Sequence, residues 1–422
     1  MGMGMTEKIL ARASGAAEVK PGDIAVVDVA TAVLMDMTFL PESWRQILKV
    51  HDPSKVVIVF DHLVPAPTIQ AATAHATGRA FAAQFGIERL HDVGPGQGIC
   101  HAVVADCGYA LPGTVLVNGD SHTCAAGAFN CAARGVGGPD MLHAVTTGKT
   151  WFRVGKTVRY DLTGTLRPGV SAKDIFLTIA GKWGAHVNQN VEYGGPGLAT
   201  LSINARRTLA TMGTELSSEF NVFEPDDLLL GYMQERNPGA AIQPTLPDAD
   251  ARYADRRTID LDAIEPLVAL PDAVVNQSVG ISEVAGRHID QAFIGSCANG
   301  TLDDLAVAAR VVRGRKVAKG TRFIVTPGTQ ATYVAALKAG YIEALLDAGA
   351  VVTPATCGAC WGGHMGTLGP NENCITASTR NFKGRMGDAS AKIYMASPAT
   401  VAASALAGQI ASAAEFFQGD VA

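Results

Sequence analysis

Short apolar runs recur along the chain, and each ends in glycine or in a cluster of polar residues. The runs are rich in β-branched residues, and helical patterns alternate with them: residues 56–60, 114–117, 292–294, 351–353 and 375–378. Continuous apolar runs that alternate with helices indicate buried parallel strands. The pattern therefore predicts α/β layers, with a helix from Leu302 to about Val312 after the third run.

Chemically reactive side chains follow these runs five times. The motifs at the predicted strand ends are Asp61-His62, Asp120-Ser121-His122, Gly295-Ser296-Cys297, Thr356-Cys357 and Thr379-Arg380. In open α/β sheets, functional groups gather beyond the carboxyl ends of the strands. We therefore expect the functional site at these strand ends.

The length of 422 residues predicts two or three domains. We predict α/β domains over residues 1–160, 161–275 and 276–422. The first carries the Asp-His and Asp-Ser-His motifs, and the third carries the cysteine motifs and an arginine loop. The second includes a connector rich in proline and aspartate at residues 237–266.

The composition argues against several classes of partner. The net charge of -5 lacks the excess of lysine and arginine that neutralises phosphates, so no nucleic-acid partner is expected. No run approaches the roughly 18 apolar residues of a membrane span, so no membrane partner is expected either. The first ten residues show no apolar secretory segment, and a cytoplasmic location is predicted.

The chain has eight cysteines, and without an export signal metal binding or buried thiols are favoured over disulfides. Two of them form the run Cys357-Gly358-Ala359-Cys360, and Cys297 follows a separate strand. Three such thiolates can hold one metal centre. The residues alone leave a redox pair, a buried pair, or structural zinc with Cys374 or His364 as further interpretations.

Histidine and arginine residues add acid–base and anion-binding chemistry. Asp61 precedes His62, and an adjacent carboxylate orients an imidazole and raises its pKa, which suits a proton donor. Arg380 and Arg385 flank a glycine-containing loop, and their guanidinium groups can pair with carboxylates. Histidines without such a setting are interpreted as structural: His51, His75, His143 and His288.

Seven stretches, in matching order between about residues 20 and 405, resemble the signature motifs of the aconitase superfamily. They are Asp61-His62, Gly98-Ile99-Cys100-His101, Gly119-Asp120-Ser121-His122-Thr123, Val191-Glu192-Tyr193-Gly194, Cys297-Ala298-Asn299-Gly300, Cys357-Gly358-Ala359-Cys360 and the run from Ser378 to Arg385. The chain length and residues 147–152 resemble the isopropylmalate dehydratase (isomerase) large subunits within that superfamily. The resemblance implies three-layer α/β/α domains arranged around an iron–sulfur cluster.

The resemblance also implies the ligands of that cluster. Cys297, Cys357 and Cys360 would hold three irons of a [4Fe-4S] cluster. The fourth iron would then be open to substrate as a Lewis acid. A fully ligated electron carrier, with Cys374 as the fourth ligand, is the alternative.

A catalytic set and a substrate-binding set follow from the same resemblance. His62 would protonate the departing hydroxyl, and Glu192 would contact that hydroxyl. The other members of the catalytic set are Asp61, His101, Asp120 and His122. The substrate-binding set is Ser378, Arg380 and Arg385.

Three positions depart from the family pattern, and they leave the substrate open. Ala298 stands where threonine is usual, Ala359 where proline is usual, and Thr379 where asparagine is usual. A threonine hydroxyl has less hydrogen-bonding capacity than an amide, and groups around a cluster tune its properties.

The sequence lacks the Gly-Ser-Ser-Arg run that supplies the serine base in single-chain aconitases. A separate small swivel-domain subunit is therefore the expected partner. The expected reaction is dehydration, hydration or isomerisation of a small 2-hydroxy di- or tricarboxylic acid, with 3-isopropylmalate first. The rivals are homoaconitase-type acids and the hydration of maleate, citraconate or dimethylmaleate. A cluster-sensing RNA-binding protein and a zinc-stabilised structural protein are the alternatives from other classes.

Overall fold

A computed structural model describes residues 2–418. The helices in this part of the chain are α1 (Met5–Ser14), α2 (Ile69–Phe85), α3 (Cys100–Asp106), α4 (Gly138–Thr147), α5 (Ala172–Trp183), α6 (Ile203–Thr211), α7 (Asp227–Arg236), α8 (Ile281–Val284), α9 (Ser296–Asn299), α10 (Leu302–Val312), α11 (Gln330–Lys338), α12 (Tyr341–Ala348) and α13 (Pro398–Ala407). Short 3-10 helices span Asp36–Phe39, Pro53–Lys55, Ser121–Phe129, Pro196–Thr200, Met212–Leu216, Leu261–Ala263, Gly358–Cys360 and Ala414–Phe417.

The strands, in chain order, are β1 (Ile24–Asp28), β2 (Thr31–Met35), β3 (Val56–Val59), β4 (Leu90–His91), β5 (Val115–Asn118), β6 (Ala132–Gly135), β7 (Lys149–Arg153), β8 (Lys156–Thr163), β9 (Gln189–Gly194), β10 (Asn221–Phe223), β11 (Asp255–Asp260), β12 (Leu267–Ala269), β13 (Ser278–Gly280), β14 (Gln291–Ile294), β15 (Arg322–Val325), β16 (Val351–Val352), β17 (Asn373–Thr376) and β18 (Lys392–Ala396).

The described chain divides into two compact units, each assembled from separate segments. Unit 1 takes in the residues up to Val93, then Cys100–Gly164 and His186–Ile259. Unit 2 takes in Gly94–Ile99, Thr165–Ala185 and the residues from Asp260 onward.

Unit 1 contains a five-stranded sheet in the order β4-β3-β2-β5-β6, and all its neighbouring strands are parallel. Strands β3 and β5 are buried along their whole length, as expected for strands covered on both faces. A four-stranded sheet in the order β10-β9-β8-β11 and an antiparallel β1–β7 ribbon complete its strands.

The start of the chain is anchored within unit 1. Gly2 forms a parallel bridge with Ala251, and the Met3 amide donates to the Asp248 carboxylate at 2.9 Å. Helix α1 begins at Met5, and the Thr6 amide donates to Glu192 at 2.8 Å. These contacts attach α1 to strand β9, which carries Glu192.

Unit 2 is built on a seven-stranded sheet in the order β13-β12-β18-β17-β14-β15-β16. Strand β12 is antiparallel to both its neighbours, and the pairs from β18 to β16 are parallel. Helix α10 packs against α12 and α13, and α13 covers β14. Thr301 and Asp304 form a capping box that fixes the start of α10.

The predicted α/β class is confirmed. All five apolar runs contain strands that pair in parallel, and α10 spans Leu302–Val312 as predicted. β16 is the exception in burial: it lies at the sheet edge, and Val351 is 60% exposed. The three contiguous domains stay a prediction. Among the described helices, none combines the length and apolar character needed to cross a membrane.

Candidate active site

The loop after β3 presents a buried aspartate and an adjoining histidine. His62 Nδ1 lies 2.7 Å from Asp61 Oδ1. The other Asp61 oxygen accepts a 2.9 Å hydrogen bond from the backbone amide of Cys100, at the start of α3. Because Asp61 is fixed by an amide on a separate element, it can hold the imidazole in one orientation.

A second carboxylate, Asp120, follows β5 and is surrounded by histidines. Its Oδ1 lies 2.6 Å from His101 Nε2 and accepts a 2.8 Å hydrogen bond from the backbone amide of His122. Its Oδ2 lies 3.7 Å from His62 Nε2. The predicted residues Asp61, His62, His101, Asp120 and His122 therefore form one cluster in unit 1.

The carboxylates set the protonation of this cluster. Burial opposes the charge on His62, but Asp61, Asp120 and Asp36 outweigh it and raise its pKa to about 10. Burial likewise opposes the charge on Asp120, but His101 and His122 hold the pKa of Asp120 well below its usual range. His62 is thus a cation at neutral pH and can donate a proton.

Glu192 does not join this cluster. It lies in β9, fully buried, where it accepts from the Thr6 amide at 2.8 Å and from the Tyr253 hydroxyl at 3.3 Å. Burial raises its pKa, and the amides at the start of α1 partly offset that effect. In the structure Glu192 therefore anchors α1, and its predicted contact with the departing hydroxyl stays a prediction.

Glu215, in contrast, contacts the cluster of histidines and aspartates. Its Oε1 lies 3.0 Å from His122 Nε2, and it comes from the 3-10 helix Met212–Leu216. Burial opposes protonation of His122, yet Asp120 and Glu215 raise the pKa of His122. Sequence analysis missed this residue because no motif was recognised in residues 212–216.

The three cysteines predicted as ligands lie together in unit 2. Cys297 is in the short helix α9, directly after β14, and α9 contacts the 3-10 turn that contains Cys360. Cys357 begins that turn and hydrogen bonds to the Cys360 sulfur. The exposed fractions of Cys297, Cys357 and Cys360 are 9%, 6% and 2%.

The turn itself requires its small residues. Gly358 has a φ of 64°, and a Cβ there would lie 2.6 Å from Thr326 Oγ1. A Cβ on Gly366 would lie 2.6 Å from the Ala359 Cβ. A side chain at Gly358 or Gly366 would collide with a neighbouring residue, so the turn that carries Cys357 and Cys360 requires glycine at both positions.

The chemistry of these thiols fits metal ligation. Hydrogen bonding from Cys357, together with Arg385 and Thr379, holds the pKa of Cys360 well below its usual range despite burial. Thiolates, not thiols, bind metals. Burial instead raises the pKa of the other four buried thiols: Cys100, Cys124, Cys131 and Cys374.

Cys374, the alternative fourth ligand, lies apart from the trio along the strands of unit 2. Cys374 is paired in register with Gln291 at the start of β14, whereas Cys297 follows the end of that strand. It is therefore poorly placed as a fourth ligand.

The predicted arginine loop also lies in unit 2. Arg385 Nε donates to the Cys360 carbonyl at 2.9 Å, and its Nη2 lies 3.6 Å from the Cys360 sulfur. Asn381 fixes the loop by donating to the carbonyls of Leu270 and Ala273. Arg380 is partly exposed at the same loop. The Arg385 guanidinium is thus positioned next to the Cys360 thiol.

Ser378 and Thr379 begin this loop and are fully buried. The Ser378 carbonyl accepts a 3.1 Å hydrogen bond from the buried Lys173 ammonium, while its Oγ has no hydrogen-bond partner in the described structure. Thr379 Oγ1 lies 3.7 Å from the Cys360 sulfur. The departure at Thr379 therefore lies beside one of the cysteines predicted as ligands.

Together, these features define an α/β protein with a thiol centre, an arginine loop and a histidine–carboxylate cluster. Residues 24–408 match the family model described as the aconitase family (aconitate hydratase). The chain belongs to the aconitase family, as its motifs predicted, and it is a hydro-lyase.

Similar proteins extend over nearly the whole chain. A 3-isopropylmalate dehydratase large subunit of Mycolicibacterium smegmatis is 53% identical, covering 98% of this chain and 97% of that protein. A 3-isopropylmalate dehydratase large subunit 1 of Methanopyrus kandleri is 43% identical, with coverages of 97% and 98%. A probable methanogen homoaconitase large subunit of Methanothermobacter thermautotrophicus is 41% identical, covering 97% of each.

One solved structure, Thermococcus kodakaraensis aconitase X in its holo-form, matches with a TM-score of 0.45 at 13% identity, covering 86% of this chain and 88% of that one. The family assignment rests on the sequence matches.

Proposed function

We propose that the chain is the cluster-binding large subunit of a [4Fe-4S] hydro-lyase, with 3-isopropylmalate or a close malate derivative as substrate. The observation that carries the proposal is the trio Cys297, Cys357 and Cys360, buried on two contacting elements with the Arg385 guanidinium 3.6 Å from the Cys360 sulfur. When bound, such a cluster supplies a Lewis-acidic iron that activates a hydroxyl group as a leaving group.

Residues of this chain would then supply the proton donor and stabilise the departing oxygen. His62, protonated and held by Asp61, donates its proton to the departing hydroxyl. His122, held by Asp120 and Glu215, stabilises the same oxygen. We assign to Glu215 the role that the sequence suggested for Glu192.

Arg380 and Arg385 would bind the substrate carboxylates, since their guanidinium groups match carboxylate geometry. Ser378 is included because its buried hydroxyl lacks a protein partner in the described structure. A homoaconitase-type tricarboxylate is the second candidate substrate, supported by the relative of that name at 41% identity.

A small subunit would supply the base that removes the carbon-bound proton. The sequence lacks a Gly-Ser-Ser-Arg run, and the relatives are named large subunits. We also propose a cytoplasmic location, because the described cysteines form no disulfides, as is typical of a reducing compartment.

The test is anaerobic reconstitution of the full chain, with iron and sulfide analysis and turnover measured with and without the small subunit. Cys297→Ala, Cys357→Ala and Cys360→Ala are expected to lose iron, sulfide and turnover. Cys374→Ala, a buried thiol outside the trio, is expected to keep all three. Full iron content in a trio variant, or full turnover by the chain alone, would contradict the proposal.

A further inference from the structure

Asp36 links the end of β2 to the loop after β3, which carries His62. It is the first residue after β2 and is fully buried. Its Oδ2 accepts a 2.6 Å hydrogen bond from the backbone amide of Leu63, and its Oδ1 accepts one of 2.9 Å from the amide of Met37. Because Leu63 directly follows His62, Asp36 fixes the backbone that presents the imidazole.

The same carboxylate faces the imidazole ring. Asp36 Oδ1 lies 3.9 Å from His62 Nδ1, on the side where Asp61 Oδ1 lies at 2.7 Å. The three side chains each place one oxygen or nitrogen within 4.8 Å of the others. Two carboxylates on the Nδ1 side favour a proton there and a cationic ring. The Nε2 atom is left to face Asp120 Oδ2 at 3.7 Å.

His75 supports Asp36 from α2. Its Nε2 lies 3.6 Å from Asp36 Oδ2, and its ring is 2% exposed. The ring stacks on Phe60, with centroids 4.4 Å apart and planes 6° from parallel. Phe60 directly precedes Asp61, so His75 contacts both the residue before the Asp-His pair and the carboxylate behind it.

We propose that Asp36, supported by His75, is a positioning residue that holds the His62 ring in place and keeps it protonated for its reaction. The kinetic consequence rests on the proposed function, whereas the effect on the charge of His62 does not. The other charged groups around the ring are Asp61 on its own loop and Asp120 after β5. Behind His75 lies Asp92, which pairs with Arg79.

The kinetic test replaces Asp36 by Asn in the reconstituted full chain with its small subunit. Asn keeps an acceptor for an amide but removes the charge. We expect turnover to fall roughly tenfold, and the basic limb of kcat/KM to move down by about one pH unit, because one of three carboxylates around His62 is neutralised. His75→Gln should shift the limb in the same direction by less. Asp92→Asn, the matched control, should leave the profile unchanged.

A second measurement separates this proposal from the proposed function. Side-chain NMR of the full chain with labelled histidine follows the titration of His62 directly, with or without turnover. A lower pKa of His62 in Asp36→Asn, in a chain that turns over none of the substrates, would preserve the positioning role and refute the reaction. An unchanged titration and an unchanged pH profile in a folded Asp36→Asn would overturn the positioning role. If Asp36→Asn does not fold, the titration of His62 and the pH profile of kcat/KM in His75→Gln test the positioning role instead.

Discussion

Two glutamates of unit 1 differ in what their carboxylates contact. Glu215 lies 3.0 Å from His122 Nε2, at the histidine cluster. Glu192 accepts hydrogen bonds from the Thr6 amide and the Tyr253 hydroxyl. A carboxylate that sets the charge of a reacting group affects the rate, and one that satisfies backbone amides affects stability.

Substitution of each glutamate by glutamine separates these roles. Glu215→Gln is expected to lower kcat by about 100-fold, because His122 loses a charged partner, with little change in melting temperature. Glu192→Gln is expected to keep kcat within about threefold and to lose about 1 kcal/mol of stability. Steady-state kinetics and thermal melts of both variants check this. A large rate loss confined to Glu192→Gln would support the role predicted for Glu192 from the sequence and contradict the one proposed for Glu215.

At the scale of single residues, sequence reasoning worked where function lies in a local motif. Asp61 and His62 are adjacent in the chain, so the chain itself indicates that they interact. Asp36 and Glu215 come to the same cluster from distant positions, and His75 has no acidic neighbour in sequence. Their contacts exist only after β2, β3, α2 and the 3-10 helix Met212–Leu216 pack together, which no local pattern encodes.

The turn between Cys357 and Cys360 has little space for an added side chain. Gly358 has a left-handed φ of 64°, and an added Cβ would meet the Thr326 side chain at 2.6 Å. Gly314 has a similar φ of 72°, but a Cβ there would meet nothing within 4 Å. The two glycines therefore share a conformational requirement and differ in the space around them.

This pair gives a matched test at the element scale. Gly314→Ala is expected to cost about 1 kcal/mol through backbone strain alone. Gly358→Ala is expected to cost more, about 2–3 kcal/mol, and to reduce iron and sulfide per chain after reconstitution. Urea unfolding and iron analysis check both. Equal stability and equal iron content in the two variants would show that the turn tolerates a methyl group.

Elements buried on both faces were predictable, and those at sheet edges were less so. β3 and β14 are buried along their whole length, and their apolar runs therefore predicted them. β16 has the same apolar composition but only one neighbouring strand, and Val351 is exposed. Apolar composition predicts that a strand forms, whereas the burial of that strand depends on its position in the sheet.

Across the whole molecule, the histidine–carboxylate cluster makes stability depend on pH in two directions. The pKa values of Asp36 and Asp120 are lowered against the opposition of burial, so their contribution is lost as pH falls below about 4. The pKa of His62 is raised to about 10, so its contribution is complete below about 6.5 and is lost as pH rises towards 10.

Urea unfolding of the full chain at a series of pH values measures this dependence. We expect the free energy of unfolding to decline between pH 7 and 10, by at most about 1.4 kcal/mol per pH unit for one proton. His62→Gln should flatten the decline, and substitution of the exposed His51 should leave it unchanged. An equally steep decline in His62→Gln would assign the effect to other groups.

The first residues are hydrogen bonded to unit 1, so the position of the initiator methionine determines which of these contacts form. A polypeptide translated from Met5 rather than Met1 would lack the bridge to Ala251 and the amide that donates to Asp248. It would also carry a new terminal ammonium beside the Glu192 carboxylate, because helix α1 begins at that residue. An affinity tag fused ahead of Gly2 would likewise extend a segment that is hydrogen bonded to residues 248–251.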